Sequence, residues 1–398
     1  MKKKILLVSQ YFWPESFSIN EICLELSKKH SIQVLTGKPN YPKGKIFKGY
    51  SKSNIKIEYY KKIKIYRVPL IPRKKNTFLN LIQNYFSFVF NAIYFGRKFK
   101  FDNFDHILVY ATSPITSAIP AIFLKFKYKK KLTVWVQDLW PESVKATGYI
   151  KNNILIFFIS ILVKLIYHFT DIILIQSKAF RKKINQYTNN SKIIYHPNSF
   201  RVPNTSSKIK KELNELLSNN FCITFAGNLG KAQALDKLIQ AASILHEKKI
   251  KILIFGNGSE EKNLKKMILK KNLKNVMVFN SVSSNLIYKI YKKSKVLFVS
   301  LKKDEILDLT IPNKVQSYMS ATKPIIGAVS GETAKIIKKN NIGYVCNINN
   351  PCDIRDKIKK IYNLNNKELT KMGKRSKLYY EKNFNFYKLN NSLINKLA

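Results

Sequence analysis

Three features of the 398-residue sequence predict an α/β protein built from two doubly wound, mostly parallel sheets that face each other across a cleft. Short β-rich runs alternate with segments of helical periodicity. A stretch rich in Pro, Asn and Ser interrupts the chain near its middle, and a second alternation of the same kind follows it. The length suits two or three ordinary domains, and a hydrophobic content of 45% can fill substantial cores.

The first alternation runs "KILLVS", helix, "SIQVLTG", "KIKIYRVPL", helix, "FDHILVYA", helix, "LTVWVQD", helix, "DIILIQS". In its first helix Ser18 and Glu21 have the spacing of a capping box, and Ile19, Ile22, Cys23 and Leu26 form the buried stripe of an amphipathic segment. The apolar stretch from Ile154 to Ile175 is broken by Lys164, His168, Thr170 and Asp171. Its uninterrupted part, Ile154 to Val163, falls short of the roughly 18 to 20 residues a bilayer-spanning helix needs. It reads as a helix followed by a strand, the helix being either buried or lying in a membrane interface. Residues Tyr195 to Glu212 carry no apolar periodicity and read as a linker. The second alternation is "FCITFAGNLG", "KILIFGNGS", "NVMVFNSV", "KVLFVSL", "KPIIGAVS" and "GYVCNI", with helices between. The expected domains are residues 1–198 and 199–378, with a tail over 379–398. In doubly wound folds ligands bind beyond the carboxyl ends of the strands, which places substrate between the two domains.

Lys and Arg number 72 against 23 Asp and Glu, a net charge of +49. Such an excess points to phosphate-bearing partners, an anionic membrane or nucleic acid, or to compositional drift in Lys/Ile/Asn-rich text. No RNA-binding or helix-turn-helix signature accompanies it, so nucleic acid is not expected. Aromatic residues interleaved with lysine suggest a membrane surface as readily as nucleic acid. Cys23, Cys222, Cys346 and Cys352 lack paired spacing, which argues against a zinc site or a disulfide framework. The apolar run within Met1 to Val8 is too short for a signal peptide, so a cytosolic protein is expected. No metal-ligand spacing, GxSxG or Ser/His/Asp pattern favours hydrolysis.

Several loops after strands carry candidate chemistry. Gly227-Asn228-Leu229-Gly230-Lys231 offers close backbone approach, helix-start amides and a cation, a set suited to a diphosphate or simply to a tight turn with a solvated lysine. Gly256 to Glu260 holds a GxG that lacks the third glycine of a dinucleotide fingerprint, so a nicotinamide site is rejected. In "IPNKVQSYMSATKPI" Pro312 suits a first helical position, Asn313 and Lys314 follow at the positive end of the helix dipole, and Pro324 forces the helix to stop. A lysine in a first turn is an electrostatic misfit that a bound anion would relieve. Asp138, in "QDLWPES", sits where it could orient a sugar hydroxyl, act as a base or cap a turn. "QYFWPES", Gln10 to Ser16, echoes it after the first strand. In "GKPNYPKGK", Asn40, Tyr41 and Lys43 could meet an acceptor phosphate. His196 and Asp138 are the candidates an epimerase would need.

These motifs, from "QYFWPES" and "NYPKG" through "QDLWPES", "HPNSF", "FAGNLGKAQAL" and "FGNGSE" to "IPNKVQSYMSATKPI", resemble family 4 retaining glycosyltransferases of the GT-B fold across nearly the whole chain. They look most like the bacterial subgroup that adds N-acetylfucosamine-type sugars in O-antigen, capsule and colanic acid assembly. The resemblance implies retaining transfer from a UDP-sugar to an undecaprenyl-diphosphate-linked saccharide at the inner face of the plasma membrane, with no cofactor and no required metal. It implies donor diphosphate contacts at Gly227, Asn228, Gly230, Lys231, Pro312, Asn313 and Lys314, and nucleoside contacts at Gly256, Asn257, Val282, Asp308 and Ser317. Asp138, Lys231 and Lys314 would be catalytic. The acceptor would meet Glu15, Asn40, Tyr41 and Lys43 and run along the helices over Phe78–Phe99 and Ile150–Phe169. The tail after about Tyr379 would return to the first domain. Two departures stand out. Asn228 and Gln233 occupy places where relatives keep an Arg and a Lys, and Leu309 and Ser317 occupy those of two glutamates, leaving Asp308 or Glu305 to replace the ribose carboxylate. The departures also admit a non-catalytic, nucleotide-binding scaffold as an alternative.

Overall fold

The computed structural model describes residues 2–51, 56–75, 77–146 and 152–397, and divides into two compact units. Unit 1 comprises Met1–His196 and Asn390–Ala398, and unit 2 comprises Pro197–Leu389.

In unit 1 the strands are β1 (Lys4–Val8), β2 (Ser31–Gly37), β3 (Lys56–Tyr60), β4 (Ile63–Val68), β5 (His106–Ala111), β6 (Lys131–Val136), β7 (Ile172–Ile175) and β8 (Ile193–Tyr195). They form one sheet in the order β3-β4-β2-β1-β5-β6-β7-β8. Every pairing is parallel except that of β3 with β4. β3 and β8 add to the strands expected from the sequence. The helices are α1 (Ser18–Leu26), α2 (Phe78–Lys98), α3 (Ala118–Tyr128), α4 (Glu142–Ala146), α5 (Asn153–Phe169) and α6 (Phe180–Ile184). The strand order reverses between β1 and β5, so the loops after these strands flank a switch point. Thr77 caps α2 by accepting from the amide of Asn80, and Asn152 caps α5 by accepting from Ile154 and Leu155. Ile150 lies outside the described residues.

The predicted stripe of α1 is buried, but Ser18 does not cap it. Phe17 holds the cap position, and no side chain hydrogen-bonds the helix start.

Unit 2 holds β9 (Phe221–Ala226), β10 (Ile250–Phe255), β11 (Val276–Phe279), β12 (Val296–Ser300), β13 (Ile325–Ala328) and β14 (Gly343–Cys346) in an all-parallel sheet of order β11-β10-β9-β12-β13-β14. The helices in sequence are α7 (Lys211–Asn219), α8 (Leu235–Ala242), α9 (Glu261–Lys270), α10 (Ser284–Lys293), α11 (Asn313–Ser320), α12 (Gly331–Lys339), α13 (Pro351–Tyr362), α14 (Asn366–Asn383) and α15 (Phe386–Lys396). All six strands match the apolar runs, which are buried on both faces as parallel strands require. The switch point falls between β9 and β12.

The tail rejoins unit 1 at Asn390, later than the expected 379. Tyr380 and Phe384 are the reason, since both lie in the core of unit 2 and the Tyr380 hydroxyl donates to the carbonyl of Phe200 at 2.7 Å. Beyond Asn390, Lys396 Nζ donates to the Tyr195 carbonyl at 2.9 Å.

Candidate active site

In unit 2 the loop after β9 lies flat on the loop after β10. The Gly227 amide donates to Phe255, Leu229 donates to Asn257, and the Glu260 amide donates back to Leu229, at 3.0, 2.9 and 2.9 Å. This stacking explains the glycines. A Cβ on Gly256 would stand 1.9 Å from the Gly227 carbonyl oxygen, and one on Gly258 would stand 2.4 Å from that of Leu229. The GxG thus exists to admit a neighbouring loop. Asn257 is used the same way, its Oδ1 accepting from the Ser281 amide at 2.7 Å. Beside the stacked loops is a cavity of about 400 Å³, lined by Gly227, Asn228, Gly256, Asn257 and Val282 together with Phe255, Ile287 and Tyr291. Its size suits a small-molecule ligand.

Lys314 reaches this loop from the first turn of α11. Its Nζ donates to Gln233 Oε1 at 2.8 Å and lies 3.9 Å from the centre of the Phe225 ring. A Cβ on Gly227 would come within 2.9 Å of it, so the ammonium lies directly under the loop. Burial pushes its pKa down to about 7. Gln233 is the acceptor for a lysine that arrives from another element 81 positions away. Nothing local in the sequence signals that contact. Pro312 is the cap residue of α11, one place before the expected first helical position, and no side chain caps the helix. Left-handed Thr322 (φ 64°), just past the C-cap Ala321, turns the chain out of α11 before Pro324. Lys231 is exposed on the turn after Gly230.

Two residues expected at the nucleoside are engaged with other parts of the protein. Ser317 is buried, and its hydroxyl donates to the Lys314 carbonyl at 2.8 Å. Asp308 accepts a short hydrogen bond from Ser330 Oγ. Neither lines the cavity that holds Val282. Helical periodicity turns Ser317 inward, and the close packing of α12 on the Asp308 turn, where a Cβ on Gly331 would sit 1.9 Å from the Asp308 carbonyl oxygen, occupies the other.

In unit 1 the expected acceptor residues separate into two kinds. Glu15 is 1% exposed and accepts from the amides of Asn40 and Tyr41, each at 2.7 Å, and of Phe12 at 3.3 Å. Burial raises its carboxyl to about 7, against the opposing pull of those amides. Asn40 is fully buried, donating to the Lys38 carbonyl and accepting from the Arg73 amide at 3.1 and 3.2 Å. Both residues tie loops together and do not face outward, which corrects their reading as acceptor contacts. Tyr41 and Lys43 are exposed. Glu15→Ala should leave the amides of Asn40, Tyr41 and Phe12 without this acceptor and cost about 2–3 kcal/mol in urea unfolding.

Sequence reasoning missed the residues that brace these loops. Arg67, fully buried, donates to Gly37, Trp13 and Glu58 at 2.7, 2.6 and 2.7 Å. Asn84 of α2 donates to the Ile71 carbonyl at 2.6 Å and accepts from Gln10 Nε2 at 2.7 Å. Asp138 follows β6, accepts from the Ser113 amide at 2.9 Å, and has its pKa raised by the desolvating protein around it. His196 is 1% exposed, and burial followed by the nearby Lys396 charge drives its pKa down to about 3. It packs edge-on against Trp135 in the core, which removes it as an epimerase residue.

Residues 206–379 match the family described as glycosyl transferases group 1. An uncharacterized glycosyltransferase of Methanocaldococcus jannaschii is 24% identical over 97% of this chain and 96% of its own. The putative colanic acid biosynthesis glycosyl transferase WcaI of Escherichia coli K12 is 22% identical, covering 80% of this chain and 81% of its own. Among solved structures, Anabaena HepE in complex with UDP superposes with a TM-score of 0.70 over 99% of both chains at 11% identity. With the loop geometry of unit 2, these likenesses identify the protein as a glycosyltransferase with the two-sheet GT-B fold of these solved structures, residues 206–379 being the part similar to the group 1 glycosyl transferases.

Proposed function

We propose that the enzyme transfers a sugar, with retention, from a UDP-sugar to a lipid-diphosphate-linked saccharide in bacterial surface polysaccharide assembly, working at the cytoplasmic face of the membrane. The observation that carries this reading is the Lys314 ammonium held beneath the Gly227–Gly230 loop and beside the cavity of Val282. Transfer leaves charge on the departing diphosphate. Lys314, the loop amides and the uncapped start of α11 would stabilise it, with Lys231 adding a solvent-side charge. These groups replace the Arg and Lys that relatives keep at the places of Asn228 and Gln233, so the departure that motivated a scaffold reading has a physical answer. In unit 1 Asp138 would orient a hydroxyl of the reacting sugar, with Tyr41 and Lys43 on the acceptor. The complex of HepE with UDP and the name of WcaI support the donor and the pathway. An N-acetylfucosamine-type sugar is the donor the sequence motifs favour.

The membrane part rests on two helices. Ile154, Phe157, Phe158, Ile161 and Leu165 of α5 are all exposed and fall on one helical stripe, as do Leu79, Phe86, Phe90 and Tyr94 of α2. No helix among the described residues is long and apolar enough to cross a membrane. A one-sided apolar stripe on a strongly basic protein fits a helix lying in the interface of an anionic bilayer. Phe157→Glu combined with Ile161→Glu should lower sedimentation with phosphatidylglycerol vesicles by on the order of tenfold or more.

The enzymatic test is a panel of UDP-sugars with a polyprenyl-diphosphate-linked monosaccharide, read by mass spectrometry of the lipid. One UDP-sugar should yield a glycosylated lipid and UDP. Absence of product with every donor, together with no thermal stabilisation by UDP, overturns the reading.

A further inference from the structure

Unit 1 contains a cavity of its own, of about 570 Å³, most of whose lining the proposed transfer does not use. Its long walls are apolar and come from α2 and α5, with Leu81, Ile82 and Tyr85 on one side and Leu155, Ile159 and Leu162 on the other. The lining also includes polar residues from outside these two helices, Arg73, Ser113, Thr116, Asp138 and Ser143, of which Asp138 and Ser113 are joined by a hydrogen bond. Three polar atoms among these residues, Arg73 Nε, Thr116 Oγ1 and Ser143 Oγ, are buried without a hydrogen-bond partner, and Thr116 is only 3% exposed. Buried polar atoms are rarely left unpaired, so this part of the lining is built for a polar ligand group. A cavity lined in this way matches an amphiphile, head against the polar residues and chain along the apolar walls.

Two further observations say which amphiphile. Phe86 and Phe158 belong both to the cavity wall and to the exposed apolar stripes, and the wall residue Leu155 is itself 37% exposed, so the cavity opens onto the surface that would meet a bilayer. Among the polar residues the Arg73 guanidinium lies over the rings of Tyr11 and Tyr41, at 5.9 and 5.3 Å, and pairs with no carboxylate among the described residues. The Lys74 amide donates to the Gly44 carbonyl at 2.8 Å, which brings exposed Lys43, Lys45, Lys74 and Lys75 close to Arg73. Unpaired cations there complement a strongly anionic head.

We propose that the cavity between α2 and α5 seats the first segment of the acceptor's hydrocarbon chain, with its diphosphate held at Arg73. This rests on the lipid-diphosphate acceptor of the proposed function. It adds that the chain leaves the bilayer and enters the protein, so that the enzyme reads the lipid as well as the sugar. Selectivity for lipid-linked acceptors then comes from unit 1 itself.

The test uses the full chain and farnesyl diphosphate as probe, with calorimetry in detergent-free buffer. Farnesyl diphosphate should bind well over tenfold more tightly than inorganic diphosphate or farnesol, because each supplies only one part of the amphiphile. Leu162→Trp, which fills the cavity, should abolish that advantage, while Leu162→Met should retain it and so guard against misfolding. Arg73→Gln should weaken farnesyl diphosphate and leave farnesol unchanged. Equal binding of farnesyl diphosphate to wild type and Leu162→Trp overturns the inference, as does displacement of the probe by phosphatidylglycerol at the same concentration. The two claims fail separately. Binding that follows these variants without transfer from any UDP-sugar sinks the acceptor reaction alone. Transfer that proceeds equally to a chain-free sugar diphosphate and to its lipid-linked form, in wild type and Leu162→Trp alike, sinks the chain seat alone.

Discussion

Lys314→Ala is expected to lower the transfer rate by roughly 10²- to 10³-fold, the usual loss when one preorganised group that meets developing charge is removed. The fold should survive, because the side chain is held by one hydrogen bond to Gln233 and a ring face and makes no ion pair among the described residues. The same residue predicts a pH dependence. Burial lowers the empty-site pKa to about 7, and a bound diphosphate would raise it again by placing negative charge nearby. Below pH 7 the ammonium is already protonated and UDP binding takes up no proton at this residue. Above pH 7 the empty site is neutral and must capture a proton on binding, so UDP affinity should fall by up to about tenfold per pH unit. Calorimetry in buffers of different ionisation enthalpy reads this uptake directly. Lys314→Ala should bind UDP weakly and without that slope; an unchanged slope in the variant would assign the proton to another group.

Gly256→Ala should be among the most damaging single methyl groups in unit 2. Its φ of 152° lies where L side chains rarely go, and the new Cβ would stand 1.9 Å from the carbonyl oxygen of Gly227, a backbone atom that cannot swing away. The expected loss is on the order of 3 kcal/mol in urea unfolding, with UDP binding abolished because the loop over Lys314 must lift. Gly49→Ala separates the two causes. Gly49 also has a positive φ, of 88°, but nothing lies within 4 Å of its added Cβ, so only backbone strain remains, about 1 kcal/mol. Retention of UDP binding by Gly256→Ala would mean the two loops are not coupled to the site.

Much of this architecture could be read from short windows of sequence. The six strands of unit 2 are continuous apolar runs because both faces of a parallel sheet are covered, and such runs stand out against Lys/Asn-rich connections. β3 escaped notice for the opposite reason. It is an edge strand whose Ile57 and Tyr59 are 50% and 65% exposed, so its apolar residues answer to no core and show no clear boundary. β8 covers only Ile193–Tyr195, too short for a pattern. The glycine loop after β9 and the start of α11 were visible as well, because glycines, a lysine and a proline-headed helix declare themselves within a few residues.

What those windows could not contain is where side chains turn once the chain is packed. "YFWPES" and "NYPKG" were recognisable as loops, yet whether Glu15 faced a ligand depended on the backbone of Asn40 and Tyr41 arriving above it with two unpaired amides. Lys314 was evident as a cation at a helix start. That it lies under Gly227 against Gln233 depended on α11 and the β9 loop meeting at the switch point, and its lowered pKa on the desolvation that follows. Strand and turn propensities act through neighbours a few residues away, and so are written locally. Burial, charge state and the pairing of distant groups arise from contacts between elements far apart in the chain, and exist only in the folded protein.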